Sequence, residues 1–288
     1  MRLYGRVWRL RVADFESRDI EFAFDIEKSL RREPNKASIS IYNLSANHRA
    51  QLEQLNVYSR PGARNPGSGQ GRIRVELEVG YGDSTFLLFR GDLRTAISER
   101  PDEWTTKVEG EDGGRAVVWS RVNRSYQPNT PVFVPLRDCA EAMGVGIGNL
   151  SDYSDVTLEG GSNVFTMGTV LSGPAPDELH GLCRSLGLTY SVQNGALQFL
   201  RRGQALQSTT VVLRSGSGLV GLPSRQPDGT ITVKALIQPD LYPGRQVSIE
   251  SDSVRGFYRI YKAKYAGDTS TADWYVTLEC RELVPVGG

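Results

Sequence analysis

The sequence is poor in the residues that most catalytic and metal sites require. Two histidines, His48 and His180, and three cysteines, Cys139, Cys183 and Cys280, are spread over 288 residues. So few imidazoles exclude most His-based triads and zinc centres. An odd, small number of cysteines excludes a complete disulfide framework and sets the expectation of a reducing compartment. Net charge is also nearly absent, with 34 Lys+Arg against 33 Asp+Glu. That balance leaves no surplus of cations for a phosphate backbone and argues against nucleic acid as the main partner. No apolar run reaches the roughly 18 residues of a membrane span. The start, Met1 to Arg6, lacks the continuous apolar core of a signal peptide. What is present is ordinary for a soluble globular protein: 39% hydrophobic and 23% charged residues, too apolar for a disordered chain. At about 150 residues per domain the length predicts roughly two domains.

The near-zero total hides an uneven distribution. Residues 1–100 carry a net +4 and residues 201–270 a net +5. Between Asp138 and Glu178 there are seven carboxylates (Asp138, Glu141, Asp152, Asp155, Glu159, Asp177 and Glu178) and no Lys or Arg. Such a block is either a solvated acidic face or a surface kept negative beside a basic partner or a passing polyanion. Arginine outnumbers lysine 28 to 6, which genome base composition explains most simply, although arginine is also the better residue for bidentate interface contacts.

Hydrophobic alternation is mostly of period two. Ile20, Phe22, Phe24 and Ile26 alternate with polar residues, as do Ala37, Ile39 and Ile41, and then Ile73, Val75, Leu77 and Val79. Phe22, Phe24, Ile39 and Ile41 are therefore expected on inward faces. Further strands are predicted at 7–12, 85–90, 93–98, 105–109, 230–236, 246–251, 257–264 and 274–280. On the last, Trp274 and Tyr275 face opposite ways, so one of them is core. Tyr81-Gly82-Asp83, Asn194-Gly195, Asp228-Gly229 and Gly267-Asp268 are turn signals between strands, and 31 glycines suit many turns and corners.

Helices are few. Leu136, Cys139, Ala140 and Met143 fall at helical spacing and end at Gly144; Leu179, Leu182, Cys183 and Leu186 repeat the pattern and end at Gly187. Pro135 and Pro176 suit a first helical turn. A third helix is predicted from an N-cap at Ser45 to about Leu55, followed by a Pro/Gly/Asn/Ser-rich loop, Ser59–Gly71. These elements predict a mainly β fold with a small α/β insertion: a β-barrel domain over 1–111, an α/β middle domain with two similar short helices over 112–203, and a second β-barrel domain over 204–288.

No chemical constellation stands out. His180 and Cys183 are three apart on one helix, yet Cys183, like Cys139, belongs to an apolar stripe, and no further ligand lies nearby. Asp152, Asp155 and Glu159 miss the spacing of a calcium loop. The glycine runs Gly67-Ser68-Gly69-Gln70-Gly71 and Gly144-Val145-Gly146-Ile147-Gly148 fit neither a phosphate loop nor a strand–GxGxxG–helix turn. Accordingly no catalytic, cofactor-binding or metal-binding residue is assigned, and the chain is read as a non-enzyme.

Three separated regions, in consistent order, resemble phage tail baseplate hub proteins of the Mu-type, late control protein D-like family. The first is Phe24-Asp25-Ile26-Glu27-Lys28-Ser29, then Glu33-Pro34-Asn35-Lys36-Ala37, then Ile41-Tyr42-Asn43-Leu44-Ser45. The two Leu-x-x-Cys helices form the second. The third comprises Gly218-Leu219-Val220-Gly221-Leu222-Pro223, Leu241-Tyr242-Pro243-Gly244-Arg245-Gln246-Val247, Gly256-Phe257-Tyr258-Arg259-Ile260, Gly267-Asp268-Thr269 and Asp273-Trp274-Tyr275. Each motif has a folding role too: Pro34-Asn35 and Pro243-Gly244 make turns, and Ser45 caps a helix.

The resemblance implies two tail-tube-like barrels per chain and a homotrimer whose six barrels form a pseudo-sixfold ring. That ring would join the hexameric tail tube of a contractile tail to a trimeric central spike. Implied partners are a second and third copy, the tube protein, the spike protein, the tape-measure protein and other baseplate proteins. DNA is met only in transit, no membrane is involved, and the location is the virion baseplate after assembly in the host cytoplasm. The same fold serves tailocins, type VI secretion spikes and gene-transfer particles. At 288 residues the chain has no room for a wall-degrading module beside both barrels. The reading from another class is a non-enzymatic oligonucleotide- or glycan-binding β-barrel, which needs aromatic and basic residues on one face. The run Arg72-x-Arg74-x-Glu76-x-Glu78 alternates sign and speaks against it. If DNA passes through a hub channel, some of the seven carboxylates are expected at its wall; otherwise they face a basic neighbour or form a solvated acidic face.

Overall fold

A computed structural model describes residues 5–55, 73–100, 102–158 and 160–283. The loop expected at Ser59–Gly71 and the carboxylate of Glu159 lie outside the described residues. The chain divides into two compact units, one of Met1–Ser29, Asn35–Asp112 and Ala205–Gly288, the other of Leu30–Pro34 and Gly113–Gln204.

The first unit opens with β1 (Arg6–Val12), β2 (Phe15–Ser17), β3 (Phe22–Ser29) and β4 (Asn35–Tyr42), then helix α1 (Ala46–Gln54), then β5 (Arg74–Tyr81), β6 (Ser84–Glu99) and β7 (Thr105–Asp112). Period-two burial follows the alternation in the sequence: Phe22, Ile39 and Ile41 are fully buried and Phe24 is 4% exposed. The Ser45 hydroxyl accepts the His48 N–H and starts α1 as expected. The strands predicted at 85–90 and 93–98 are one continuous strand. β6 offers its first half to β5 and its second to β7, swinging from one neighbour to the other near Gly91. A Cβ at Gly91 would lie 2.6 Å from the Phe89 ring and 2.8 Å from the Glu111 backbone, so only glycine fits the crossing.

The second unit contains α2 (Gly114–Trp119), β8 (Arg121–Tyr126), α3 (Phe133–Ala142), β9 (Thr169–Pro174), α4 (Ala175–Ser185), β10 (Leu188–Gln193) and β11 (Ala196–Arg201). Helices α3 and α4 pack through the expected stripes, with Leu136, Cys139, Leu179 and Cys183 all fully buried. β10 and β11 form a hairpin whose turn residues Asn194 and Gly195 both have positive φ, 53° and 83°, the geometry the Asn-Gly signal encodes. β8 and β9 form a second antiparallel ribbon. Neither that ribbon, most of whose side chains are exposed, nor the short helix α2 is legible in the hydrophobic pattern.

The chain then returns to the first unit with β12 (Val211–Arg214), β13 (Leu219–Arg225), β14 (Ile231–Leu236), β15 (Gln246–Glu250), β16 (Arg255–Asp268) and β17 (Trp274–Glu282). Trp274 is buried and Tyr275 half-buried, so one of the pair is core. All the strands of this unit belong to one sheet of 13, ordered β13-β14-β17-β16-β3-β4-β7-β6-β5-β1-β2, with β15 also on β16 and β12 on β15. Among the described residues no barrel closes. The edge of β3 is spent on β16, at the register Lys262↔Ser29 to Asp268↔Ala23, instead of sealing the N-terminal strands upon themselves. An aromatic cluster sits at this junction: Phe24 meets Trp274 edge-on at 5.2 Å, and Trp8 meets Phe22 at 6.1 Å. One continuous core results.

The N- and C-terminal halves of that sheet repeat each other in register. Ile39↔Val108 and Ala96↔Val108 in the first half correspond to Val233↔Leu278 and Ala263↔Leu278 in the second. Val75↔Gly91 corresponds to Val247↔Tyr258, and Phe22↔Ile41 to Leu219↔Ala235. The two long strands even share a bulge, one extra residue at Arg94 in β6 and at Tyr261 in β16.

Candidate functional site

The residues weighed for chemistry do not converge. On α4 Cys183 is fully buried while His180, three residues before it, is exposed, so the pair cannot hold one ion. Burial pushes the Cys139 and Cys280 thiols up to about 12 and that of Cys183 higher still, which keeps all three protonated and unreactive. His48 packs edge-on against Phe15 at 5.2 Å. Among the described residues no group of three or more His, Cys, Asp or Glu is arranged to hold a metal.

The most polar part of the core is a cluster the sequence reading did not single out. Lys28 near the end of β3, Asn35 at the start of β4 and Asp112 at the end of β7 are at most 3% exposed. Asn35 Oδ1 accepts the Ser29 N–H at 2.9 Å, and its Nδ2 donates to Asp112 Oδ2 at 3.5 Å. Burial lowers the Lys28 ammonium to about 8, with the Asp112 carboxylate pulling the other way. Its only sequence signal is a lysine at an inward position of an alternating strand.

Three carboxylates of the acidic segment are paired with arginines. Asp138 is buried, accepting the Tyr126 hydroxyl at 2.9 Å and pairing with Arg124 at 2.9 Å. Asp177 pairs with Arg32 at 3.1 Å, and Glu141 lies 3.7 Å from Arg137. Glu178 accepts the Ser172 N–H at 3.4 Å. Asp152 and Asp155 are exposed and have room to meet a partner. Local pairing escaped the sequence reading because the cations lie outside the segment counted.

The outer face of β2, β1, β5 and β6 carries a ladder of opposite charges. Arg9 is joined to Glu78, Arg11 to both Glu16 and Glu76, and Arg90 to Glu76. A cleft of about 430 Å³ beside it includes Arg6, Arg9 and Arg18. All three cations are engaged: Arg9 by Glu78, Arg18 by Glu16 at 3.8 Å, and Arg6 by the carbonyls of Thr271 and Ala272, both at 2.7 Å. A ladder of paired charges gives a polyanion little to grip.

What the molecule does offer is unpaired sheet edge and exposed apolar side chain. Among the described residues β13 pairs with no strand but β14, and the second half of β6 with no strand but β7. Leu222 on β13 is 74% exposed and Ile97 on β6 49%. In the second unit Val118 and Trp119 close α2, which packs on β9, where Val170 is also exposed. Such edges and exposed apolar side chains are features that protein–protein assembly uses.

A family model described as "Baseplate hub gp41" matches residues 10–280. The chain belongs to that baseplate hub family. Solved structures agree on the fold. The 43 kDa tail protein of prophage MuSo2 from Shewanella oneidensis superposes with a TM-score of 0.63 at 10% identity, over 96% of this chain and 97% of that one. A tail protein from Neisseria meningitidis MC58 gives 0.61 at 10% identity, over 97% of each. The E. coli c3393 protein gives 0.55 at 11% identity, over 96% of this chain and 77% of that one. It is described as a component of the type VI secretion system with structural similarity to T4 bacteriophage tail proteins gp27 and gp5. A search of curated proteins finds no match. The hub-family chain is thus a structural component of a phage tail baseplate, mainly β.

Proposed function

We propose that this hub-family chain forms a homotrimer that joins the hexameric tube of a contractile tail to a trimeric central spike. In this reading 1–111 and 204–288 supply two tail-tube-like barrel halves, and 112–203 is an α/β domain between them. Three copies then present six equivalent halves to the tube and three equivalent faces to the spike. The reading rests above all on the doubled strand register within one chain, since a protomer with an internal repeat matches a sixfold partner with only three copies. The hub acts without cofactor or metal and without catalysis; its partners are its own copies, the tube and spike proteins, and neighbouring baseplate and tape-measure proteins. DNA crosses its channel in transit, and the chain enters the virion from the host cytoplasm.

The test is assembly state. Light scattering of the purified protein is expected to give three chains per particle, and negative-stain images threefold rings with a central hole. Monodisperse monomers at high concentration, with no association with tube or spike protein, would overturn the reading.

A further inference from the structure

The doubled register leaves one strand position filled in the second half and empty in the first. On β16, the side that pairs β15 over residues 255–259 continues into β3 over residues 262–268. On β6, the same side pairs β5 up to Asp92. From Thr95 onward no strand lies there among the described residues; instead the Glu53 carboxylate of α1 accepts the Ser98 N–H at 3.1 Å. β13, the counterpart of β3, has β14 on one side and, among the described residues, no strand on the other, although its Pro223 carbonyl accepts the Ser253 hydroxyl at 3.0 Å. Among the described residues one acceptor edge and one donor strand are therefore left over.

The register of the filled junction can be carried to the empty one. Ala96 corresponds to Ala263, so Ser98 corresponds to Tyr265, which lies opposite Ile26. Ile26 corresponds in turn to Arg225, since Ile26↔Ala37 in one half matches Arg225↔Ile231 in the other. Ser98 would thus face Arg225, with Glu99 facing Ser224 and Ile97 facing Gln226.

The direction of the backbone groups checks this independently. The Phe22 carbonyl accepts the Thr269 N–H at 3.0 Å, so the even residues of β3, Ile26 included, turn their hydrogen-bonding groups toward β16. The Gln226 N–H goes to Thr230 O at 2.8 Å, on the β14 side, which turns Arg225 outward. Ser98 turns outward as well, toward Glu53. Donor and acceptor edges therefore meet in phase.

We infer that β13 of one copy adds to the free edge of β6 in a second copy, with residues 97–99 antiparallel to 224–226, repeating between chains the β3–β16 junction made within each. Glu53 holds that edge until the strand arrives. This deepens the ring assembly proposed above and rests on it. The joint is head-to-tail, the kind that closes into a ring when its rotation permits.

The test is cysteine cross-linking at the predicted register. Glu99 and Ser224 are exposed and would form a non-hydrogen-bonded pair, whose Cα atoms sit about 4.5 Å apart, within disulfide range. The three native cysteines are buried and leave the background silent. E99C/S224C, oxidised in the assembled state, is expected to run as covalent dimer and trimer on a non-reducing gel. The off-register I97C/S224C pair and both single variants are expected to remain monomeric bands. Light scattering on the same samples separates the two ideas. Three-chain particles without the E99C/S224C cross-link, or with equal cross-linking of the off-register pair, overturn the strand joint and leave the trimer standing. Monomers overturn both. Amide hydrogen exchange on the unsubstituted protein gives a readout that needs no variant. Residues 95–100 and 221–227 are expected to gain protection as concentration drives assembly, and unchanged exchange there in the assembled protein overturns the joint.

Discussion

Phe24 and Gly267 explain each other. A Cβ at Gly267 would lie 2.5 Å from the Phe24 ring and 2.8 Å from Trp274, so the aromatic packing between β3 and β16 is possible only over a bare backbone. Gly267→Ala is expected to destabilise by about 1–3 kcal/mol through overpacking. Phe24→Ala is expected to cost about 3–5 kcal/mol through the cavity it leaves. Urea denaturation of both variants checks the order, which fails if Gly267→Ala is neutral. Lys28 gives a pH signature. Its folded value near 8 lies below the ordinary 10.5, so between those values the unfolded chain holds a proton that the folded chain has lost. Stability from this group therefore rises with pH across that window, by about 3 kcal/mol at most. The difference in unfolding free energy between the native protein and Lys28→Met should shift toward the native protein from pH 8 to 10.5. A flat difference would mean that the ammonium is not desolvated.

At the scale of elements, the strands whose two faces differ in polarity were legible, and those without such contrast were not. β3, β4 and β5 alternate between core and water, and their residues announce it. β8, β9 and β13 keep few side chains buried, so no period emerges. α1 is a different case: its cap at Ser45 was readable, but only Leu52 of the helix is buried, and its place over the β6 edge was not. Covering an edge is a recognised way to block unwanted strand pairing. Glu53→Ala should keep the fold, judged by circular dichroism, and raise concentration-dependent association measured by light scattering. Unchanged association would deny α1 that role.

For the whole molecule, the β3–β16 pairing decides cooperativity. It fuses segments far apart in sequence into one sheet and one core, so neither half has a complete interior of its own. Fragments 1–112 and 205–288, produced separately, are expected to lack a cooperative thermal transition and to regain one when mixed. Two independent transitions from the separate fragments would show that each half folds alone. The paired charges on the outer face predict, on the same scale, no salt-dependent retention of duplex DNA in a gel-shift assay at moderate ionic strength.

The sequence by itself determined which faces of the long strands turn inward, where three of the helices lie and, through short turn and cap motifs, the hub resemblance. These are local matters: alternation, capping and turn chemistry act over a few residues and leave their mark in residue type. The tertiary structure decided the rest. That β3 spends its edge on β16, that Asp177 and Asp138 are paired with Arg32 and Arg124, and that Lys28 and Asp112 share the core all depend on pairings with partners outside each local pattern. Backbone hydrogen bonds in a sheet are the same for nearly every residue type, so the choice of neighbouring strand is written in the packing of the whole core and not in any one segment.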